Sequence, residues 1–97
     1  MKTEAILGLY EEMKDRVLEI TNSRYAIRVL DSIFERPVFA SVQFVEGTDS
    51  SPPTARRILR RLCESGVLQK IDPARGRRPA LFVFRRLLDV AEGRKSG

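Results

Sequence analysis

Arg56, Arg57, Arg60 and Arg61 make two pairs of like charge, each pair four residues apart, in the stretch between Ser51 and Ser65. Residues at that spacing are neighbours on a helix, and each like-charged pair costs an isolated helix about 0.2–0.5 kcal/mol. Glu64 can relieve Arg60 or Arg61, but in the less favourable order. A face that needed only solvation would interleave glutamate. Four gathered guanidinium groups suit planar, bidentate hydrogen bonding to phosphate, carboxylate or the guanine edge. Arg75, Arg77 and Arg78 form a second cluster around Gly76.

The charge distribution carries the same message. In residues 52–86, nine arginines and Lys70 stand against only Glu64 and Asp72, a formal charge of +8. The rest of the chain has 8 basic and 11 acidic residues and carries −3, so the net is +5. Such asymmetry marks one part of the chain as facing a polyanion.

Other chemistries find little support. The 97 residues include no histidine, which removes the commonest general base and metal ligand. No carboxylate pair is assembled by spacing, so neither catalysis nor a metal or cofactor is expected of this chain. Cys63 is the one cysteine; it falls near an apolar helix face and reads as a small core residue, and a reducing cytoplasm fits it. No apolar run approaches the ~20 residues of a membrane span. Glu4, Glu11, Glu12, Lys14 and Asp15 rule out a signal peptide reading of the first segment. Phe82 and Phe84 read as core rather than as a stacking platform for single strands.

Positioning these arginines requires the following elements. Residues 4–21 read as a helix with Thr3 as N-cap; Ile6, Tyr10, Met13, Val17 and Ile20 follow 4-3-4-3 spacing, a seam that is expected to join two copies of the chain. Thr21-Asn22-Ser23 interrupts it. A second helix spans 24–36, with Ala26, Ile27, Leu30, Ile33 and Phe34 inward, and Pro37 stops it. Val38–Ala40 is short and extended, Ser41 caps a brief helix through Val42, Phe44 and Val45, and Gly47–Ser50 turns the chain. Ser51 and Pro52 then open the basic helix and Gly66 ends it. Ala55, Ile58, Leu59 and Leu62 make its apolar face. Val67–Ile71 and Ala80–Phe84 are strands around a turn at 72–76, followed by a short amphipathic stretch with Leu87, Leu88 and Val90.

The expected fold is therefore mainly α with a small β-hairpin: a winged helix-turn-helix over residues 23–90, preceded by a long N-terminal helix (1–22) and followed by a polar tail (91–97). Thr54, Arg57 and Arg61 lie nearly opposite the apolar face, and Arg56 and Arg60 flank it. The outward set, with Arg60, is assigned to base edges in a DNA groove, and Arg56, Arg75, Arg77 and Arg78 to phosphates.

From about Ser23 to Val90 the chain resembles the C-terminal winged-helix region of Fic-family proteins. The landmarks are Phe34-Glu35-Arg36-Pro37, Pro53-Thr54-Ala55-Arg56-Arg57, Leu62-Cys63-Glu64-Ser65-Gly66-Val67-Leu68, Arg75-Gly76-Arg77-Arg78-Pro79 and Phe82-Val83-Phe84. The preceding helix, with Leu9-Tyr10, looks like the segment that joins such regions to a Fic catalytic domain. Fic enzymes transfer a nucleotide, usually AMP, using a motif of the type H-P-F-x-x-G-N-G-R, which this chain lacks. The resemblance implies an accessory domain, part of a longer protein or free-standing, that serves DNA binding, dimerisation or regulation. The alternative function is thus a docking or dimerisation module for a Fic catalytic domain in cis. Thr48 and Ser50 depart from the pattern, standing where such units carry apolar residues.

Overall fold

The computed structural model describes the backbone of residues 2–92 and the side chains of residues 4–92. Most of the predicted tail, residues 93–97, lies outside the described residues. The chain runs α1 (Lys2–Thr21), α2 (Ala26–Glu35), β1 (Val38–Ala40), α3 (Ser41–Thr48), α4 (Pro52–Glu64), β2 (Gln69–Asp72), β3 (Leu81–Val83) and α5 (Arg85–Ala91). It is mainly helical with a small three-stranded antiparallel sheet of order β1-β3-β2.

Helix α1 already includes Thr3, so Thr3 is not its N-cap. The helix ends as the sequence suggests, with Asn22 left-handed at φ 44° and its N–H donating to the Leu18 carbonyl. The Ser23 hydroxyl accepts from the Tyr25 N–H and the Ser23 carbonyl from Ala26, so helix α2 starts one short turn later than expected. Val29 is fully buried while Ile27 is 46% exposed, which reverses the expected inward place of Ile27. Ser41 is the first residue of α3 rather than its cap; the Ala40 N–H donates to the Gln43 Oε1 at 2.8 Å.

Thr48, the odd polar residue, is completely buried. Its hydroxyl donates to the Val45 carbonyl at 3.2 Å, so the Ser50 hydroxyl, 3.0 Å away, must be the donor into Thr48 Oγ1. A satisfied hydroxyl costs little to bury, and α3 keeps two full turns.

One core joins the elements. Leu9, Met13 and Val17 of α1 meet Val29, Leu30 and Ile33 of α2 and the apolar face of α4. Phe39 stacks between Phe44 and Phe82, at 5.6 and 5.8 Å, tying β1 to α3 and β3. Phe34 stands edge-on to both Tyr10 and Phe84, at 5.1 and 5.3 Å. Both predicted strand phenylalanines are therefore core. Arg86 pairs with Glu12 through its two terminal nitrogens, Nη1 and Nη2, closing α5 onto α1 and holding the Glu12 carboxyl below the usual carboxylate range. The Arg16 guanidinium donates to the Ser65 carbonyl at 3.0 Å, where a cation meets the negative end of α4.

Candidate functional site

Helix α4 buries Ala55, Ile58, Leu59 and Leu62 and leaves Arg56, Arg57, Arg60 and Arg61 exposed. Its boundaries follow the sequence signals. Ser51 is the N-cap in extended conformation, and Pro52 and Pro53 fill the first two positions. Two prolines remove two of the backbone donors that a helix start usually leaves open. An anion approaching this end meets fewer N–H groups than usual, so its recognition falls to side chains. The Ser51 hydroxyl does not cap the backbone; it donates to Thr54 Oγ1 at 2.9 Å, which leaves the half-buried Thr54 hydroxyl its own proton to donate.

Gly66 ends the helix at φ 87°, and the Val67 and Leu68 N–H groups both donate to the Leu62 carbonyl. Those two amides are occupied by the helix end, so β2 begins at Gln69 rather than at Val67. Lys70 pairs with Phe82 and Asp72 with Leu81, which makes Ile71 the extra residue of a β-bulge. The hairpin closes through mutual backbone bonds between Arg75 and Arg78, at 3.0 and 2.8 Å. Gly76 takes the first central position of that turn at φ 55°, where an L side chain would be strained.

The eight predicted DNA-contacting residues thus sit on two elements, Thr54, Arg56, Arg57, Arg60 and Arg61 on α4 and Arg75, Arg77 and Arg78 at the hairpin tip. Among the described residues, the side chains of Arg56, Arg57, Arg60, Arg75 and Arg77 have no hydrogen bond or ion pair. Glu64 makes no ion pair with Arg60 or Arg61. Two arginines are partly engaged. Arg61 reaches the Ile20 carbonyl at 3.5 Å, toward the end of α1, and Arg78 lies 4.0 Å from Asp72.

The flanks of α4 differ. On one side Arg56 and Arg60 share a cleft of about 280 Å³ with Lys70, over a floor of Leu59, Cys63 and Phe82. The Lys70 ammonium stands 5.9 Å from the centre of the Phe82 ring. On the other side Arg61, Glu64, Ser65 and Ile20 line an open depression. The sequence reading counted Lys70 in the basic stretch but not among the site residues; its place beside Arg56 and Arg60 follows from the strand register, which sets it opposite Phe82. Cys63 is half-buried, and burial pushes its thiol up, against the lowering effect of Lys70. It is a poor nucleophile at neutral pH.

The expected dimer seam is corrected by the structure. Met13 and Val17 are buried in the chain's own core, and Ile6, Tyr10 and Ile20 pack partly buried against it. The 4-3-4-3 pattern is real, but the domain itself covers it, and no copy of the chain can reach Met13 or Val17 in this fold.

Among the described residues no cluster of cysteine, aspartate or glutamate could hold a metal ion. No described helix is long and apolar enough to cross a membrane. Comparison of the chain with models of protein families and with curated proteins finds no match.

Proposed function

We propose that residues 23–90 form a winged-helix module that binds double-stranded DNA through α4 and the β2–β3 hairpin. The order α2-β1-α3-α4-β2-β3 supports the fold reading: α3 and α4 are joined by three residues as in a helix-turn-helix, and β1 adds a third strand to the hairpin. The observation that carries the functional reading is the state of α4. Like-charged arginines line its exposed ridge, and among the described residues no acid pairs with Arg56, Arg57 or Arg60. Their mutual repulsion is relieved when phosphates approach. Thr54 and Arg57 take the base edges, Arg60 and Arg61 border them, and Arg56, Arg75, Arg77 and Arg78 take phosphates. The module acts without catalysis of its own.

A second reading draws on the cleft between α4 and the sheet. Its floor of Leu59, Cys63 and Phe82 accepts an apolar side chain, and its rim of Arg56, Arg60 and Lys70 accepts carboxylates. That suits docking on an acidic protein surface, such as a nucleotide-transferring Fic domain in the same protein.

Anisotropy of a labelled duplex, followed across a salt series, separates the two. On the DNA reading the chain binds duplex in low salt, and Arg56→Ala with Arg77→Ala, both assigned to phosphates, weakens binding and flattens the logarithmic salt slope by roughly two. Absence of duplex binding in low salt, or binding that ignores the double substitution, overturns it.

A further inference from the structure

One residue along α1 from the buried stripe lies a second set with 4-3-4 spacing: Leu7, Glu11, Lys14 and Leu18. All four face solvent, and Leu7 (60% exposed) and Leu18 (53%) are the most exposed and third most exposed of the described large apolar residues. A single exposed leucine is ordinary. Two leucines at the ends of one outward seam, with a single acid and a single base between them, form a pattern.

The set is symmetric about the point between Glu12 and Met13. Leu7 and Leu18 are equidistant from it, and so are Glu11 and Lys14. We propose that this outer face of α1 pairs antiparallel with the same face of a second copy of the chain, about a two-fold axis through that point. Leu7 then packs on the partner's Leu18, and Glu11 meets the partner's Lys14. A two-fold contact uses the same patch twice, so both pairs occur twice. The charges also select the direction. Parallel helices in the same register would set glutamate against glutamate and lysine against lysine, whereas the antiparallel pair sets every charge against its opposite.

One neighbour fits this contact, Ile27 on the adjoining helix α2. Because the Tyr10 hydroxyl bonds Asp31 and the helices run antiparallel, Ile27 stands at the level of Lys14, 46% exposed, beside the seam.

A seam this short is at the small end of specific interfaces, below roughly 1,200 Å² in total, so the dimer is weak. The proposal is independent of DNA binding; a strictly monomeric chain that binds duplex sinks this inference and leaves that one standing.

Sedimentation velocity of the whole chain, from micromolar to near-millimolar concentration, tests it. The expected result is a monomer–dimer equilibrium that Leu18→Lys abolishes, with an unchanged circular dichroism melt because Leu18 is outside the core. Lys14→Glu alone weakens dimerisation at least tenfold, and combining it with Glu11→Lys restores it to within about threefold. A wild-type chain that stays monomeric, a dimer indifferent to Leu18→Lys, or a double charge exchange as weak as the single one overturns the proposal.

Discussion

The Tyr10 hydroxyl donates to the Asp31 carboxylate at 2.6 Å, across 21 residues of sequence, while its ring stands edge-on to Phe34. This bond holds the proton on the phenol. The carboxylate acceptor, then slight burial, then the negative charge of Asp31 raise the Tyr10 pKa above its ordinary value of 10.0. A folded-state pKa raised in this way contributes stability that is fully present below the ordinary tyrosine pKa and is lost as pH rises through the folded value. The chain has two tyrosines and no tryptophan, so tyrosinate absorbance reads them directly. Tyr10→Phe is expected to remove the component that ionises above the ordinary range and to lessen the loss of stability on the alkaline side. An absorbance titration in which both tyrosines persist unchanged in their upper limb contradicts the bond.

Met13 and Leu18 distinguish the buried face of α1 from its outer face. Met13 is 1% exposed, so Met13→Lys places a charge in the core and should cost well over 3 kcal/mol, enough to unfold much of the population. Leu18→Lys should leave the urea midpoint nearly unchanged. Equal effects of the two substitutions would mean that α1 is rotated from the position described.

Thr48 tests whether a hydroxyl or a methyl group matters more between α3 and α4. Thr48→Val keeps the shape but removes both the donor to the Val45 carbonyl and the acceptor for the Ser50 hydroxyl, and should cost about 1 kcal/mol. Thr48→Ala removes the bond and opens a small void, and should cost about 2 kcal/mol. Urea unfolding compares the two; alanine no more harmful than valine would show that the hydroxyl bonds, and not the methyl group, carry the position.

The α4 arginines should trade stability against binding. Arg57→Glu converts its repulsion with Arg61 into a pair of opposite charge in the favourable order, and should stabilise the isolated protein by roughly 0.5 kcal/mol. The same change should all but abolish duplex binding at moderate salt. A destabilised Arg57→Glu protein would show that the ridge is not strained by its own charge.

How much of this was legible beforehand varies with the kind of signal. Helix α4 was legible at both ends because Ser51-Pro52 and Gly66 are local devices whose action does not depend on the rest of the fold. The arginine ridge was legible for the same reason: phase around one helix is set by spacing. Partner-dependent features were not. The stripe from Ile6 to Ile20 announced that something apolar covers it, but periodicity carries no label saying whether the cover is another chain or α2, α4 and α5. Ile27 and Val29 are both β-branched and lie two residues apart; only the placement of α1 decides which turns inward. The late start of β2 was hidden because the Val67 and Leu68 amides serve α4, an allocation of hydrogen bonds that no hydropathy pattern records.

The sheet order has a consequence for synthesis. Strand β1 is complete by Ala40, yet β3, its hydrogen-bonding neighbour among the described residues, is made at residues 81–83. As the chain leaves the ribosome, α1 and α2 can meet early, while Phe39 waits for the Phe82 ring that will cover it. The hairpin and β1 can therefore join only once Leu81–Val83 have emerged, and a nascent chain cut short before Leu81 would carry the arginines without the sheet that frames them.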